Sequence, residues 1–268
     1  MNLLMCPVCR EALVLEAKTW RCKSNHSYDI AKQGYVNLHV VQHKHSKNPG
    51  DTIESVQARR SFLSQGFYQP LQEAVVAKIR DLRIENLLDI GCGEGYYTNA
   101  MQAEAMQVIG VDIAKNAVQV AAKLNQQVTW VVGTGAVLPA MDQSIDLCTS
   151  LFSPIPEQEI LRVLKPEAYL MVVTPGPDHL YAMREALFDE VKVHDPHKFV
   201  DQLDDHFELV DSTLLDAPLQ LKQQDLKNLI AMTPYAYKAK LERRLTLEES
   251  DEFTVSAQFQ IYIFKKKA

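Results

Sequence analysis

From Asn86 onward, short apolar runs alternate with amphipathic stretches. NLLDIG, QVIGVD, VTWVV, IDLCTSLF and AYLMVVT are each bounded by turn residues, and the intervening segments 95–104, 114–124 and 157–164 carry helical spacing. Such β-α-β alternation predicts a mainly parallel sheet covered by helices. Two later apolar runs, 207–215 and 253–264, predict strands joined through a mostly helical segment, which permits an antiparallel edge. Ahead of this body, Thr52 can cap a helix in which Val56, Arg60, Leu63 and Phe67 recur at near-helical spacing. A second helix is predicted over 70–82, with Leu71, Val75, Val76 and Ile79 on one face. The front of the chain differs: ALVLEA and YVNLHVV suggest short strands around turns, and 39–52 has no periodicity and contains the turn signal Asn48-Pro49-Gly50-Asp51. The expected division is a small domain over 1–38, a connector loop and helix over 39–70, and the α/β body over 71–268.

Hydrophobic residues make up 47% and charged residues 23% of the 268, a composition that supports a substantial core. No apolar run approaches the roughly 20 residues that span a bilayer, so no membrane partner is expected. The start, MNLLMCPVCR, lacks a signal-peptide pattern, and a cytoplasmic location is expected. The net charge of −6 is unevenly spread: residues 1–70 carry nine Lys/Arg against five Asp/Glu (+4), the rest nineteen against twenty-nine (−10). A basic front on an acidic body suits a polyanion bound on one face.

Three of the five cysteines fall within the first 22 residues. Cys6, Cys9, Cys22 and His26 give C-x2-C-x12-C-x3-H, a donor set suited to tetrahedral zinc with no open position and therefore to a structural role. Asp29 is an alternative to His26 as the fourth ligand. Zinc would supply folding free energy that so small a piece lacks, so its removal is expected to unfold this segment and leave the large domain folded. Cys92 and Cys148 stand alone in apolar stretches and read as buried small side chains.

In LLDIGCGEGYYT an apolar strand runs into Gly91, Gly93 and Gly95 and then a helix. The position of a third dinucleotide-fingerprint glycine is Tyr96, which argues against a dehydrogenase. Asp112 closes the next strand, where a carboxylate can accept hydrogen bonds from both ribose hydroxyls of an adenosine. This arrangement resembles the S-adenosylmethionine site of Rossmann-like methyltransferases. On that reading Gly91 and Gly93 admit the cofactor, Asp112 holds its ribose, Asp89 or Glu94 meets its polar groups, and the helix start at Glu94–Gly95 orients its carboxylate.

The full series of motifs is Cys6-Pro-x-Cys9, Cys22, His26, Asp29-Ile-Ala-Lys-x-Gly34-Tyr-Val-Asn-Leu38, Pro49-Gly50-Asp51, Gln57-Ala-Arg-Arg60, Tyr68-x-Pro-Leu71, the glycine turn and Thr174-Pro-Gly-Pro-x-His179. In this order, over nearly the whole chain, it resembles the bacterial 23S ribosomal RNA (guanine-N1)-methyltransferases, and more closely their Gram-negative branch. The two branches act on different nucleotides of one hairpin region. The resemblance implies an N-terminal zinc-ribbon-like domain that helps recognise an RNA hairpin, a Rossmann-like domain using S-adenosylmethionine, and a homodimer. Carried over by motif position, zinc falls on Cys6, Cys9, Cys22 and His26, and cofactor contacts on Tyr68, Gly93, Glu94 and His179. Tyr68, on a flexible connector, could fold over the cofactor as an aromatic cover.

Guanine N1 carries a proton at neutral pH and lies on the pairing edge, so the base must leave its helix and a base catalyst is needed. Asp51 is the first candidate for that base and Glu94 the second. The segment SLFSP, 150–154, lacks the Asn/Asp-Pro-Pro-aromatic motif of amino-methylating enzymes, in keeping with a ring nitrogen as acceptor. Lys44, Lys47, Arg59 and Arg60 are candidates for RNA phosphates. Two rival readings are a small-molecule or lipid methyltransferase with a zinc appendage, and a non-enzymatic RNA-binding protein. The intact glycine turn and Asp112 oppose the latter.

Overall fold

The computed structural model describes residues 3–40 and 50–267. The chain begins with a small antiparallel sheet of β1 (Val14–Glu16), β2 (Thr19–Arg21) and β3 (Ser27–Asp29). Next come β4 (Tyr35–Asn37), α1 (Ile53–Leu63) and α2 (Gln69–Leu82). The Thr52 hydroxyl accepts the Ser55 N–H at 3.2 Å and so caps α1, an interaction of about 1 kcal/mol.

Alternation then proceeds through β5 (Asn86–Ile90), α3 (Tyr96–Met101), β6 (Gln107–Asp112), α4 (Lys115–Leu124), β7 (Thr129–Val132), β8 (Ile145–Leu151), α5 (Glu157–Val163) and β9 (Leu164–Pro175). The remainder is α6 (Tyr181–Leu187), α7 (Lys198–Leu203), β10 (Phe207–Lys222), α8 (Gln223–Ala231), α9 (Tyr235–Lys238), α10 (Leu241–Glu248) and β11 (Glu252–Lys266). The eight-stranded sheet has the order β10-β11-β9-β8-β5-β6-β7-β4, parallel except where β11 pairs with β9 and β10. The antiparallel edge is as expected, but β10 runs on to Lys222 and so exceeds its predicted end at 215.

Successive residues of each strand serve opposite faces. Leu87, Val108 and Leu147 pack beneath α1, α2, α4 and α8, whereas Leu88, Ile109 and Cys148 face the other layer. That layer includes Leu3, Leu4, Cys6, Leu13 and Cys22 beside α5. The cysteine-bearing segment is thus a wall of the main core. Likewise β4, counted within the first domain above, pairs in parallel with β7 in the large sheet, because Tyr35 and Val36 are both apolar and bury on its two faces.

The chain leaves β5 toward β6 on one side and later returns to β8 on the other. Such a switch point opens a crevice at the carboxyl ends of the strands, where ligands of open α/β sheets bind.

Candidate active site

The glycine turn occupies that crevice. Gly91 has φ +76°, and a Cβ there would lie 2.4 Å from the Ser153 Cβ, so only glycine lets the turn pass beneath the end of β8. The Ser153 hydroxyl in turn donates to the Ile90 carbonyl at 2.5 Å, tying β8 to β5. The Asp112 carboxylate accepts the Gly93 N–H at 2.9 Å and the Ala114 N–H at 2.7 Å, which fixes the turn against the end of β6. Burial pushes the Asp112 carboxyl upward, and the two amides pull it back.

A cavity of about 560 Å³ opens over this turn, lined by Gly91, Gly93, Glu94, Asp112 and the Gly133–Ala136 stretch among others. Glu94 is 4% exposed, and its Oε1 has no hydrogen-bond partner. Burial raises its carboxyl, and Arg59 opposes that rise from 3.9 Å. A buried acceptor without a partner is costly, so this oxygen marks a place for a polar or cationic ligand group. With the glycine turn and Asp112, it meets the needs of an adenosine carrying an amino acid, so the residues present fit S-adenosylmethionine.

Two predicted contacts lie elsewhere. Asp89 points into the core and accepts from Thr98 Oγ1 at 2.5 Å and Thr149 Oγ1 at 2.7 Å; burial lifts its pKa to about 6. It braces the turn from behind and does not line the cavity. Gly95 also lies off the cavity: a Cβ there would meet Trp130, so the residue serves helix packing.

A second cavity, about 720 Å³, adjoins the first, and both are lined by Gly50, Asp51, Arg59, Phe152 and Ser153. Tyr68 and His179, predicted beside the cofactor, line this second cavity. Tyr68 is no mobile cover. It is buried at the start of α2, its ring edge-on to Phe62 and Phe259 at centroid distances of 5.2 and 4.8 Å. Burial drives His179 down to about 3, so its ring is neutral; Nδ1–H donates to the Gln258 carbonyl at 2.7 Å, which leaves Nε2 as an acceptor.

Arg59 differs most from its predicted role. It does not stand free for phosphate but donates from Nη1 to Asp51 at 2.5 Å and lies between that carboxylate and Glu94. Burial lowers its pKa, but Asp51 and Glu94 outweigh that and raise it. Arg60 is exposed on α1, whereas Lys44 and Lys47 lie outside the described residues. Sequence reasoning missed Phe152 and the Met232–Tyr237 wall. SLFSP was read only for the motif it lacks, and the signal for the wall was an aromatic cluster, TPYAY, inside a stretch taken as helical connector.

In the N-terminal segment, one donor atom from each of Cys6, Cys9, Cys22 and His26 lies within 4.8 Å of the rest. The Cys9–Cys22 sulfur separation is 3.5 Å and Cys22 Sγ to His26 Nδ1 is 3.4 Å. Zinc with arms of about 2.3 Å to sulfur and 2.0 Å to nitrogen spans a tetrahedron of that size. Asp29 is not the fourth ligand: it accepts from Thr19 Oγ1 on an exposed strand. Tyr28 Oη, 3.3 Å from Cys6 Sγ, can donate to a thiolate there and orient it, while Glu11 accepts from the Ser24 N–H and hydroxyl at 2.9 Å and ties together the turns that carry the ligands. The four protein donors make a closed, structural zinc site.

Comparison with known proteins bears on both ends. The family described as RlmA, N-terminal, a zinc ribbon, matches residues 4–47, and the family described as methyltransferase domain matches 87–167. A curated relative from Streptomyces fradiae, named 23S rRNA (guanine(748)-N(1))-methyltransferase, is 32% identical over 96% of this chain and 95% of its own. A relative from Micromonospora griseorubida, assigned by its name to the 23S rRNA (guanine-N(1)-)-methyltransferases, is 31% identical over 87% of this chain and 86% of its own. Both organisms are Gram-positive, so these relatives lend no support to the Gram-negative branch. Among solved structures, the [4+2]-cyclase SpnF shares the fold with a TM-score of 0.50 at 19% identity, covering 74% of this chain and 81% of its own. A cyclase on this fold shows that the chemistry rests with the site residues.

Proposed function

Since the chain belongs to the family of 23S rRNA (guanine-N1)-methyltransferases, we propose that it methylates N1 of a guanine in a hairpin loop of 23S ribosomal RNA. The observation that carries this reading is the meeting of two cavities at the Asp51–Arg59 pair, one fitted to the cofactor and one free for a base. S-adenosylmethionine, when bound, supplies a methyl group on a positively charged sulfur. Gly91 and Gly93 would admit it, Asp112 would hold its ribose, Glu94 its ammonium group, and Tyr68 and His179 would approach it from the second cavity.

The acceptor must lose a proton. Asp51 would take the N1 proton, which frees the N1 electron pair to accept the methyl group that the bound cofactor would supply. Asp51 is preferred to Glu94 because it lines both cavities, whereas Glu94 lines only the first. The zinc-bearing segment and the exposed Arg60 grip the RNA around the extruded base. Lys44 and Lys47 have the right charge for the same task.

The working unit is a homodimer in the cytoplasm. Among the described residues no helix is long and apolar enough to cross a membrane. Tyr237 and Leu241 are 77% and 61% exposed and offer apolar surface to a second copy. Branch membership is decided by which guanosine is modified.

Labelled methyl transfer to ribosomal RNA from a strain lacking the gene, set against lipid and metabolite pools, tests the assignment, and mass spectrometry of the product locates the nucleotide. Label entering lipid or metabolites but not RNA would overturn it. Asp51→Asn should lower turnover by about a hundredfold or more with RNA affinity intact. Near-normal turnover excludes Asp51 as the base.

A further inference from the structure

Phe152 has no part in the assignments above, yet its geometry is unusual. It follows the last residue of β8 with φ +58°, a conformation that phenylalanine adopts only when its surroundings enforce it. Ser150 and Ser153 enforce it here: their hydroxyls lie 2.8 Å apart, and Ser153 is bonded to the Ile90 carbonyl. The result is a large apolar ring that stays 44% exposed, edge-on to Phe259 at 5.8 Å and in the lining of both cavities.

We infer that the second cavity is the receptacle of the extruded guanine, and that Phe152 is the platform on which the base stacks. The inference rests on the proposed RNA guanine methylation and names the subsite that serves it. A flipped base needs an apolar face to replace its lost neighbours and polar groups for its pairing edge. Phe152 supplies the face. The Asp51–Arg59 pair supplies the edge, setting an acceptor beside a donor at the mouth shared with the cofactor cavity. Guanine presents O6 as acceptor beside the N1–H and N2–H donors, and the pair matches that order. Adenine presents the reverse order and would set its amino group against the guanidinium and its bare N1 against the carboxylate. His179 and the Met232–Tyr237 wall complete the lining. At about 720 Å³ the cavity lies within the range of specific ligand pockets and has room for a purine with part of its ribose.

The experiment is single-turnover methylation of a hairpin RNA containing the target guanosine, with the full zinc-loaded chain and the variants Phe152→Leu, Phe152→Ala and Phe152→Tyr. Affinity for S-adenosylhomocysteine is measured in parallel by calorimetry. Loss of the ring should slow transfer about ten- to hundredfold in the Leu and Ala variants, the range associated with stacking of one base. Tyrosine should restore the rate to within about threefold, and cofactor affinity should stay within about threefold throughout. Leucine keeps most of the apolar volume, so a folded Leu variant decides the matter even if Ala does not fold. A Leu variant as fast as wild type overturns the receptacle, as does a rate loss matched by an equal loss of homocysteine-analogue affinity. Either result, with an active wild type, leaves the methyltransferase assignment standing. A wild type inert toward RNA removes both.

Discussion

The backbone of Leu4 forms an antiparallel bridge with that of Ala140, which joins the zinc-bearing segment to the catalytic body. Flanking hydrogen bonds run from Met5 N–H to the Pro139 carbonyl at 3.1 Å and from Met141 N–H to the Leu3 carbonyl at 2.9 Å. Arg162 locks the acceptor strand by donating to the carbonyls of Ala140 and Leu138. Cys6 and Cys22 are buried in the same hydrophobic cluster as Ile90 and Val111, two residues that line the cofactor cavity.

This contact reverses the expectation that zinc loss spares the large domain. Chelation should lower the melting temperature of the body by about 10 °C, as for the loss of a few kcal/mol. The chain has two tryptophans, so a Trp20→Phe variant reports from Trp130 alone, deep in the body. A Trp130 transition unmoved by chelator would show the segment to be an independent appendage.

The second prediction concerns Arg59 and Glu94. Burial raises the Glu94 carboxyl and Arg59 restrains that rise, so Arg59→Met should raise it further. If the ionised carboxylate holds the cofactor's ammonium, affinity fails as pH falls through the Glu94 pKa. The variant should therefore lose affinity at a higher pH than wild type. Calorimetry with S-adenosylhomocysteine from about pH 5 to about pH 8 reads the midpoint, and coincident midpoints would refute the coupling.

Local patterns make most of the body legible. Every strand from β5 to β9 contains an apolar run that announces it, although β9 starts at Leu164, ahead of its run AYLMVVT, and the Thr52 cap and Pro70 announce their helices. The tail of β10 is also readable, since Ala217, Leu219 and Leu221 alternate with exposed residues, though the signal is weak because pairing with β11 completes it. What stays hidden is long-range. No local feature of Leu3 and Leu4 reveals that they cover the sheet, nor does QARR show that Arg59 turns inward to meet Asp51 while Arg60 turns out. The zinc ligands lie close together in sequence and are read directly, whereas the second cavity draws on residues 50 to 237 and exists only after folding.

Asp89 yields a third prediction, about pH and stability. Its folded pKa, about 6, lies above its ordinary value of 3.8, so the folded state retains a proton that the unfolded state releases. Stability contributed by this group is highest at low pH and is lost as pH rises from about 4 through about 6, reaching about 3 kcal/mol. Asp89→Asn removes the dependence without changing shape: one of the Thr98 and Thr149 hydroxyls keeps donating to the amide oxygen while the other turns to accept from the amide N–H. Urea denaturation should show the variant gaining on wild type over that window and keeping a constant advantage above it. A pH-independent difference would place the cause elsewhere.

The last prediction tests why the third glycine of the turn is needed when it does not line the cavity. At Gly95, φ is +84°, and an added Cβ would lie 2.7 Å from Trp130 Cη2 and 3.0 Å from the Ala121 Cβ. Trp130 cannot withdraw, because its Nε1–H is bonded to the Asn125 carbonyl at 2.6 Å and its ring is almost wholly buried. Gly95→Ala should therefore cost about 3 kcal/mol, part from the left-handed backbone and part from overpacking. Only the second part depends on the indole. Trp130→Phe removes the colliding indole atoms and leaves the Ala121 contact, so the double variant should recover about 1 to 2 kcal/mol relative to the sum of the single changes. Strict additivity in urea denaturation would mean that backbone strain and the Ala121 contact, not the indole, explain the glycine.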